Sequence, residues 1–166
     1  CHRNIDMENI LTTMDGRVVI CGLKHAFKIP YMNMDGMDDD YSNHRERQRY
    51  LIRPFRNPHG TLRFMAHELL MYHQFDGHAV DLWATSLLLF AMCGCYPWNA
   101  ADLVVETFRQ SSSGNFARIA SFNGCELSDE LLDLLQNMFF LNPRDRLSLE
   151  QIRVHPWMQR YSTRLG

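Results

Sequence analysis

The chain lacks most of the features that would tie it to a special environment. No charge sign dominates: 17 Lys and Arg stand against 19 Asp and Glu, a net charge of −2 over 166 residues. That balance excludes a global field for nucleic acid or another polyanion, so a partner must be recognised through local chemistry. Long apolar runs are missing too. The longest, Leu82 to Cys93, is interrupted by Thr85 and Ser86 and is too short for a membrane span. No pair among the five cysteines (Cys1, Cys21, Cys93, Cys95 and Cys125) has the spacing of a zinc half-site with histidines following at the right interval. The odd count favours reduced thiols. With reduced thiols and no membrane span, the expected compartment is the cytoplasm, with the nucleus as an alternative. The first residue is Cys1, already inside a motif, which suggests a fragment of a longer chain. Internal repeats and low-complexity tracts are also absent.

What is present reads as one globular domain, at 46% hydrophobic and 22% charged residues. Ile10-Leu11-Thr12 and Val18-Val19-Ile20 flank Asp15-Gly16, a dipeptide that favours a tight turn, and together they predict a hairpin over Asn9 to Cys21. From about Lys28 to Pro58 the pattern becomes polar, with acidic Asp38, Asp39 and Asp40 followed by basic Arg45, Arg47 and Arg49, and a long mobile loop is expected. After Gly60 helices are expected. Val80 to Met92 is apolar on nearly every side, the pattern of a helix buried all round, and Pro97 limits its extension. Amphipathic segments follow near Ala100–Gln110, Ser128–Phe139 and Ser148–Arg160, with Ser128 and Ser148 placed as N-caps.

Five blocks carry a resemblance. His2-Arg3-Asn4-Ile5-Asp6-Met7-Glu8-Asn9 resembles the H-R-D-L-x-x-x-N catalytic loop of protein kinases, with Asn4 in place of the aspartate. Gly22-Leu23-Lys24 stands, without a gap, where that family carries D-F-G. Gly60 to Glu68 is similar to the stretch ending in A-P-E, with His67 replacing the proline. Ala79 to Ala84 resembles the start of the central helix of the kinase C-terminal lobe, and Asn142 to Ser148 followed by His155-Pro156-Trp157-Met158 resembles its closing helices. The resemblance covers nearly the whole chain in family order. It implies a mainly α fold, the C-terminal helical lobe of the protein-kinase fold with a short β-hairpin near the N-terminus. Within it residues 1–24 form the catalytic-loop hairpin and D-F-G equivalent, 25–68 an activation-like segment and 69–166 a helical subdomain. An N-terminal lobe is expected upstream. Thr61 leans the ancestry to the serine/threonine branch.

Phosphoryl transfer needs a carboxylate to take the hydroxyl proton, a carboxylate and an amide to hold Mg²⁺, and a cation near the γ-phosphate. Carried over by resemblance, the base position is Asn4, which accepts no proton near neutral pH. Gly22, at the magnesium position, has no side chain, and Asp6 sets a repulsive charge where the family's lysine would meet the phosphate. Asn9 alone is kept as a metal ligand, and an amide is a poor anchor for so hard a cation. The expectation is therefore a catalytically impaired pseudokinase that acts in protein interaction or signalling regulation, with no bound cofactor, an unidentified protein partner and neither nucleic acid nor membrane. The alternative is an active serine/threonine kinase with atypical residues, which would use ATP and Mg²⁺; Asp6 as a displaced base is part of that alternative.

The structural positions are retained. By resemblance Glu68 should form a buried ion pair with Arg146, Asp81 should open the central helix and accept N–H bonds from the His2-Arg3 turn, and Leu23 should pack over His2. Lys24 replaces a glycine and stiffens the segment. Arg3 matches an arginine that grips a phosphate on the activation loop, where Tyr41, Ser42, Tyr50 and Thr61 are the candidate hydroxyls. Each position also has a plain reading: Asn4 and Asn9 as turn residues, Asp81 as a helix cap, Arg3 as a solvated or backbone-bonded side chain. Cys93-Gly94-Cys95, the ten methionines and the scattered His44, His59, His67, His73 and His78 carry no ligand spacing.

Overall fold

The computed structural model describes residues 1–29, 51–53, 60–71, 73–95, 117, 120–121 and 124–162, the side chains of 161 and 162 excepted. The Asp38–Asp40 run, the basic residues at 45, 47 and 49, the hydroxyls of Tyr41, Ser42 and Tyr50, His44, His59, Pro97 and the helix expected near Ala100–Gln110 lie outside these residues.

Asp15-Gly16 closes the first hairpin. Strand β1 (Ile10–Thr12) pairs antiparallel with β2 (Val18–Ile20), Leu11 opposite Val19, and Gly16 takes a φ of 82° at the turn. Both faces of β2 are open: Val18, Val19 and Ile20 are all exposed, as is Leu11. A second pair joins β3 (Leu51–Ile52) to β4 (Phe75–Asp76), with Ile52 opposite Phe75. Strand β3 lies inside the stretch expected to be loop. Ile52 and Phe75 are buried in the core, an anchor that the polar composition around Leu51 conceals.

Helix α1 (His67–Leu70) is a single turn, and α2 (Gly77–Met92) is the central element. Val80, Trp83, Leu87 and Phe90 are buried along one side of α2, while Leu82, Ala84, Ser86 and Leu88 are buried on others. It is capped by Asp76, whose carboxylate accepts from the N–H groups of His78 and Ala79. Asp81, expected to open the helix, instead lies in its second turn. Helix α3 (Asp129–Met138) starts at Ser128 and buries Leu131, Leu134, Leu135 and Met138, the spacing of one helical face. Its approach to α2 stacks the Trp83 ring on Phe139 at 3.8 Å between centroids.

The single helix expected over Ser148–Arg160 is two. Helix α4 (Leu149–Arg153) begins with a capping box in which the Ser148 hydroxyl takes the Gln151 N–H and the Gln151 side chain takes the Ser148 N–H. It ends at Val154, and α5 (Pro156–Ser162) starts anew. Pro156 has no N–H to donate, and its ring would strike the carbonyl four residues back, so it suits a helix start and not its middle. His155 at the break is buried against Asp133, with Nε2 3.0 Å from Oδ2. No described helix is long and apolar enough to cross a membrane.

One buried cation ties these parts together. Arg146 is 4% exposed and Glu68 5%. The guanidinium meets the carboxylate in two parallel bonds, Nη1 to Oε1 at 2.7 Å and Nη2 to Oε2 at 2.9 Å. Its remaining N–H groups donate to the carbonyls of Ala79 (2.9 Å), Phe140 (2.8 Å) and Leu141 (3.3 Å). Its Cζ lies 4.7 Å from the Trp83 ring centroid.

The reading of all the thiols as reduced is overturned for two of them. Gly94, at φ 80°, turns the chain after α2 so that Cys95 enters the core, and Cys95 is bonded to Cys125 with 6.2 Å between Cα atoms. A separation of 30 residues conceals this pairing until α2 and α3 have packed. Cys1, Cys21 and Cys93 are free thiols.

Two expectations follow for stability. Glu68→Ala strands a buried guanidinium and should lower the unfolding free energy in urea by about 3–5 kcal/mol. Arg146→Lys, which keeps the charge but has three donors for five sites, should recover only part of that loss. Burial pushes the His67 imidazole below the ordinary histidine range, with Glu68 pulling the other way. The unfolded chain then takes up this proton first as pH falls, so the contribution is intact above about pH 6.5 and declines below it. In His67→Gln the urea midpoint should lose that part of its dependence between about pH 6.5 and 5.

Candidate functional site

The His2-Arg3-Asn4 turn is built around one carboxylate. Arg3 adopts φ 64°, the left-handed region that a residue with a Cβ rarely enters. That turn directs two successive N–H groups at Asp81: His2 N donates to Oδ2 at 2.6 Å and Arg3 N to Oδ1 at 2.8 Å. Successive N–H groups converging on an anion form a nest, and here the anion comes from the central helix. The His2 ring is buried and continues the network. Its Nδ1 accepts from Asn4 N at 3.2 Å, which assigns the proton to Nε2, and Nε2 donates to the Cys21 carbonyl at 2.7 Å. The Arg3 side chain donates from Nε to the His25 carbonyl at 2.6 Å. Partial burial pushes its pKa down, opposed by Asp81. Of the hydroxyls that Arg3 was expected to face, only Thr61 lies among the described residues, and that hydroxyl is bonded to Asp6.

Gly60 and Thr61 close over the loop. A Cβ on Gly60 would lie 2.9 Å from both the Arg3 carbonyl oxygen and the Asn4 Oδ1, and φ at Gly60 is 124°, so this approach requires glycine. It delivers Thr61 with two bonds: its N–H donates to Asn4 Oδ1 at 3.2 Å and its hydroxyl to Asp6 Oδ2 at 2.6 Å. Asp6 is only 3% exposed. Its other oxygen accepts from the N–H groups of Glu8 and Asn9 at 3.1 and 3.0 Å, capping the 3-10 turn Met7–Asn9. The carboxylate expected to repel phosphate from the open site is thus turned inward and held by three donors.

Asn9 and Gly22 are brought together, in a way that leaves no space at position 22. Asn9 Nδ2 donates to the Asn4 carbonyl at 2.9 Å, and the amide then fills the volume beside Gly22, where an ideal Cβ would overlap Asn9 Oδ1. Gly22 has φ 79°. Leu23, expected to pack over His2, is mostly open to solvent. It is 65% exposed on the 3-10 turn Leu23–His25, where none of the described residues covers it. Lys24 is the middle residue of that turn, and the left-handed conformation belongs to Gly22.

Chemically, the loop presents amides and inward carboxylates. A magnesium site needs hard oxygen donors with charge, and the positions the family uses supply one amide and a glycine. Among the described residues no three His, Cys, Asp or Glu side chains converge as a metal would require. At the two positions that the resemblance assigns to Mg²⁺, the donors present are the Asn9 amide and none from Gly22. Sequence reasoning missed Gly60, the Thr61–Asp6 bond and the Asn9–Gly22 contact. The glycine beside a threonine was a usable signal for the first, whereas the other two depend on a fold that brings residue 6 to 61 and residue 9 to 22.

The protein kinase domain family model matches residues 1–158. The chain is 28% identical over 165 residues to "Probable serine/threonine-protein kinase MARK-B" of Dictyostelium discoideum, covering 96% of this chain and 19% of that protein. It is 29% identical over 162 residues to serine/threonine-protein kinase ppk25 of Schizosaccharomyces pombe, covering 97% and 32%. To serine/threonine-protein kinase SAPK6 of Oryza sativa it is 28% identical over 170 residues, covering 96% and 39%. The chain thus spans well under half the length of these relatives.

Gly22→Asp tests the contact at position 22. The new side chain would enter a left-handed residue and displace the Asn9 amide, so calorimetry should register a loss of about 1–2 kcal/mol. Asn4→Asp, which changes one atom in an existing acceptor, should leave the melting temperature within about 2 °C.

Proposed function

The chain belongs to the protein kinase family, and on that premise we propose that it serves as a catalytically impaired, pseudokinase-type module acting in protein interaction or signalling regulation. The observation that carries this reading is the Asn9 amide lodged against Gly22, beside a loop whose only buried carboxylate, Asp6, is consumed by Thr61, Glu8 and Asn9. A general base alone is typically worth about 10²–10⁴ in rate. With Asn4 at that position the proton has no acceptor, and losses among residues that act as a unit do not multiply.

The same reading takes the chain as a C-terminal lobe, with residues 1–24, 25–68 and 69–166 as its catalytic-loop hairpin, activation-like segment and helical subdomain. Val18 and Ile20 on one face of the hairpin, Leu11 and Val19 on the other, and Leu23 just beyond it are exposed apolar side chains, suited to an upstream lobe that would rest there. The protein partner would then engage the helices or the long segment. The scaffold supports the reading from the other side, since Glu68, Asp81 and Arg146 hold their contacts without any catalytic group.

The test is thermal melting of the protein with and without Mg²⁺-ATP, together with transfer of labelled phosphate to a generic protein substrate. A ligand that binds only the native state raises the melting temperature by mass action. The expected result is no magnesium-dependent shift and no transfer. A clear shift, with transfer abolished by Asn9→Ala, would replace this proposal with an active serine/threonine kinase of atypical residues.

A further inference from the structure

The Cys95–Cys125 bond joins two places that the rest of the fold treats differently. Cys95 follows the C-terminal turn of α2, is 0% exposed and packs in the core cluster with Trp83, Phe90 and Phe139. Cys125 precedes the Ser128 cap of α3 and is only half-buried. The bond closes a loop of 30 residues between the two helices that form the centre of the core. The helix pair also has contacts that do not involve the sulfurs: Trp83 stacks on Phe139, and Leu131 and Leu135 share the core cluster with Val80 and Leu87. What reduction removes is the closure of the intervening chain, and a loop closed over this length contributes through the entropy of the open state.

We propose that Cys95–Cys125 is a redox-sensitive tether, opened and closed by thiol–disulfide exchange while the helical core stays folded. The two residues differ in burial, Cys95 being fully buried and Cys125 half-buried, so attack is expected at Cys125. A small thiolate reaches Cys125 Sγ, forms a mixed disulfide there and breaks the Cys95–Cys125 bond; Cys95 leaves as a thiolate and takes a proton in its apolar site. A second thiolate attacks the mixed disulfide, releasing Cys125 and the oxidised small disulfide, so that two thiols supply the two electrons. Closure is the reverse, with the small disulfide as oxidant. Asp81 and the loop it holds lie about 20 Å away along α2, at 1.5 Å per residue, so the exchange takes place at a distance from that loop.

The full chain is equilibrated across a series of reduced to oxidised glutathione ratios, alkylated and counted by mass. Circular dichroism and thermal melting are followed on the same samples. Oxidised protein should carry three alkylated thiols after denaturation, at Cys1, Cys21 and Cys93, and reduced protein five. Two thiols should appear together in one transition with the helical spectrum unchanged, and the melting temperature of the reduced form should be lower by about 5–10 °C. Cys125→Ser, at a half-buried position, should melt like the reduced form at every ratio. Five reactive thiols at all ratios, a bond that opens only when the helices unfold, or equal melting temperatures of the two forms would each overturn the proposal.

Discussion

The fold depends on the guanidinium of Arg146 more than on any other single group. Five N–H groups leave it in a rigid plane, and each finds an acceptor: two on Glu68 and one each on the carbonyls of Ala79, Phe140 and Leu141. These acceptors come from α1, from the first turn of α2 and from the stretch after α3. Helix α1 is one turn long and could not persist alone, because helix nucleation is unfavourable at that length. Glu68 holds it in place, with Arg146 as the fixed point. The Trp83 ring beneath the guanidinium completes the enclosure and links the ion pair to the stacked core.

A second anion organises the loop in a similar way. Asp81 projects from α2 and gathers two backbone N–H groups, which sustains the left-handed Arg3. Both Glu68 and Asp81 are engaged by donors of this chain, and neither stands at a position that the resemblance assigns to the chemistry. The groups that shape the loop are therefore separable from those that would do chemistry in it. That separation explains how Asn4 and Gly22 can stand at family positions while the turn around them keeps its shape. Thr61 strengthens the arrangement by engaging Asn4 and Asp6 at once, so the replaced residues have acquired structural bonds of their own.

Much of this was legible in sequence wherever the signal is local. Asp15-Gly16 between two β-branched runs specified the first hairpin, Ser128 and Ser148 marked two helix starts, and the all-round apolar character of Val80 to Met92 marked the buried helix. Where two local signals competed, the stronger one was easily misjudged. Pro156 outweighed a continuous amphipathic pattern, and Asp76 took the cap expected of Asp81. Non-local pairings were legible only where the resemblance supplied them, as for Glu68 with Arg146 and Asp81 with the His2-Arg3 turn; the others left no trace. Strand β3 forms because Ile52 meets Phe75, Cys95 pairs across 30 residues, and Leu23 lies exposed although its apolar character suggested burial over His2. At the site, residue types were readable but their orientation was not. A carboxylate at position 6 reads the same in sequence whether it faces solvent or Thr61.

The contact between Asn9 and Gly22 also bears on how such a loop changes over generations. A glycine in a left-handed conformation, with a neighbouring amide settled into the space a side chain would occupy, makes the present state easy to keep and hard to leave. A carboxylate at 22 would displace the Asn9 amide from its bond to the Asn4 carbonyl while itself taking a left-handed conformation, so the cost of that one substitution falls on two positions. Position 22 is therefore coupled to position 9: the space for a side chain at one is set by the hydrogen bond of the other.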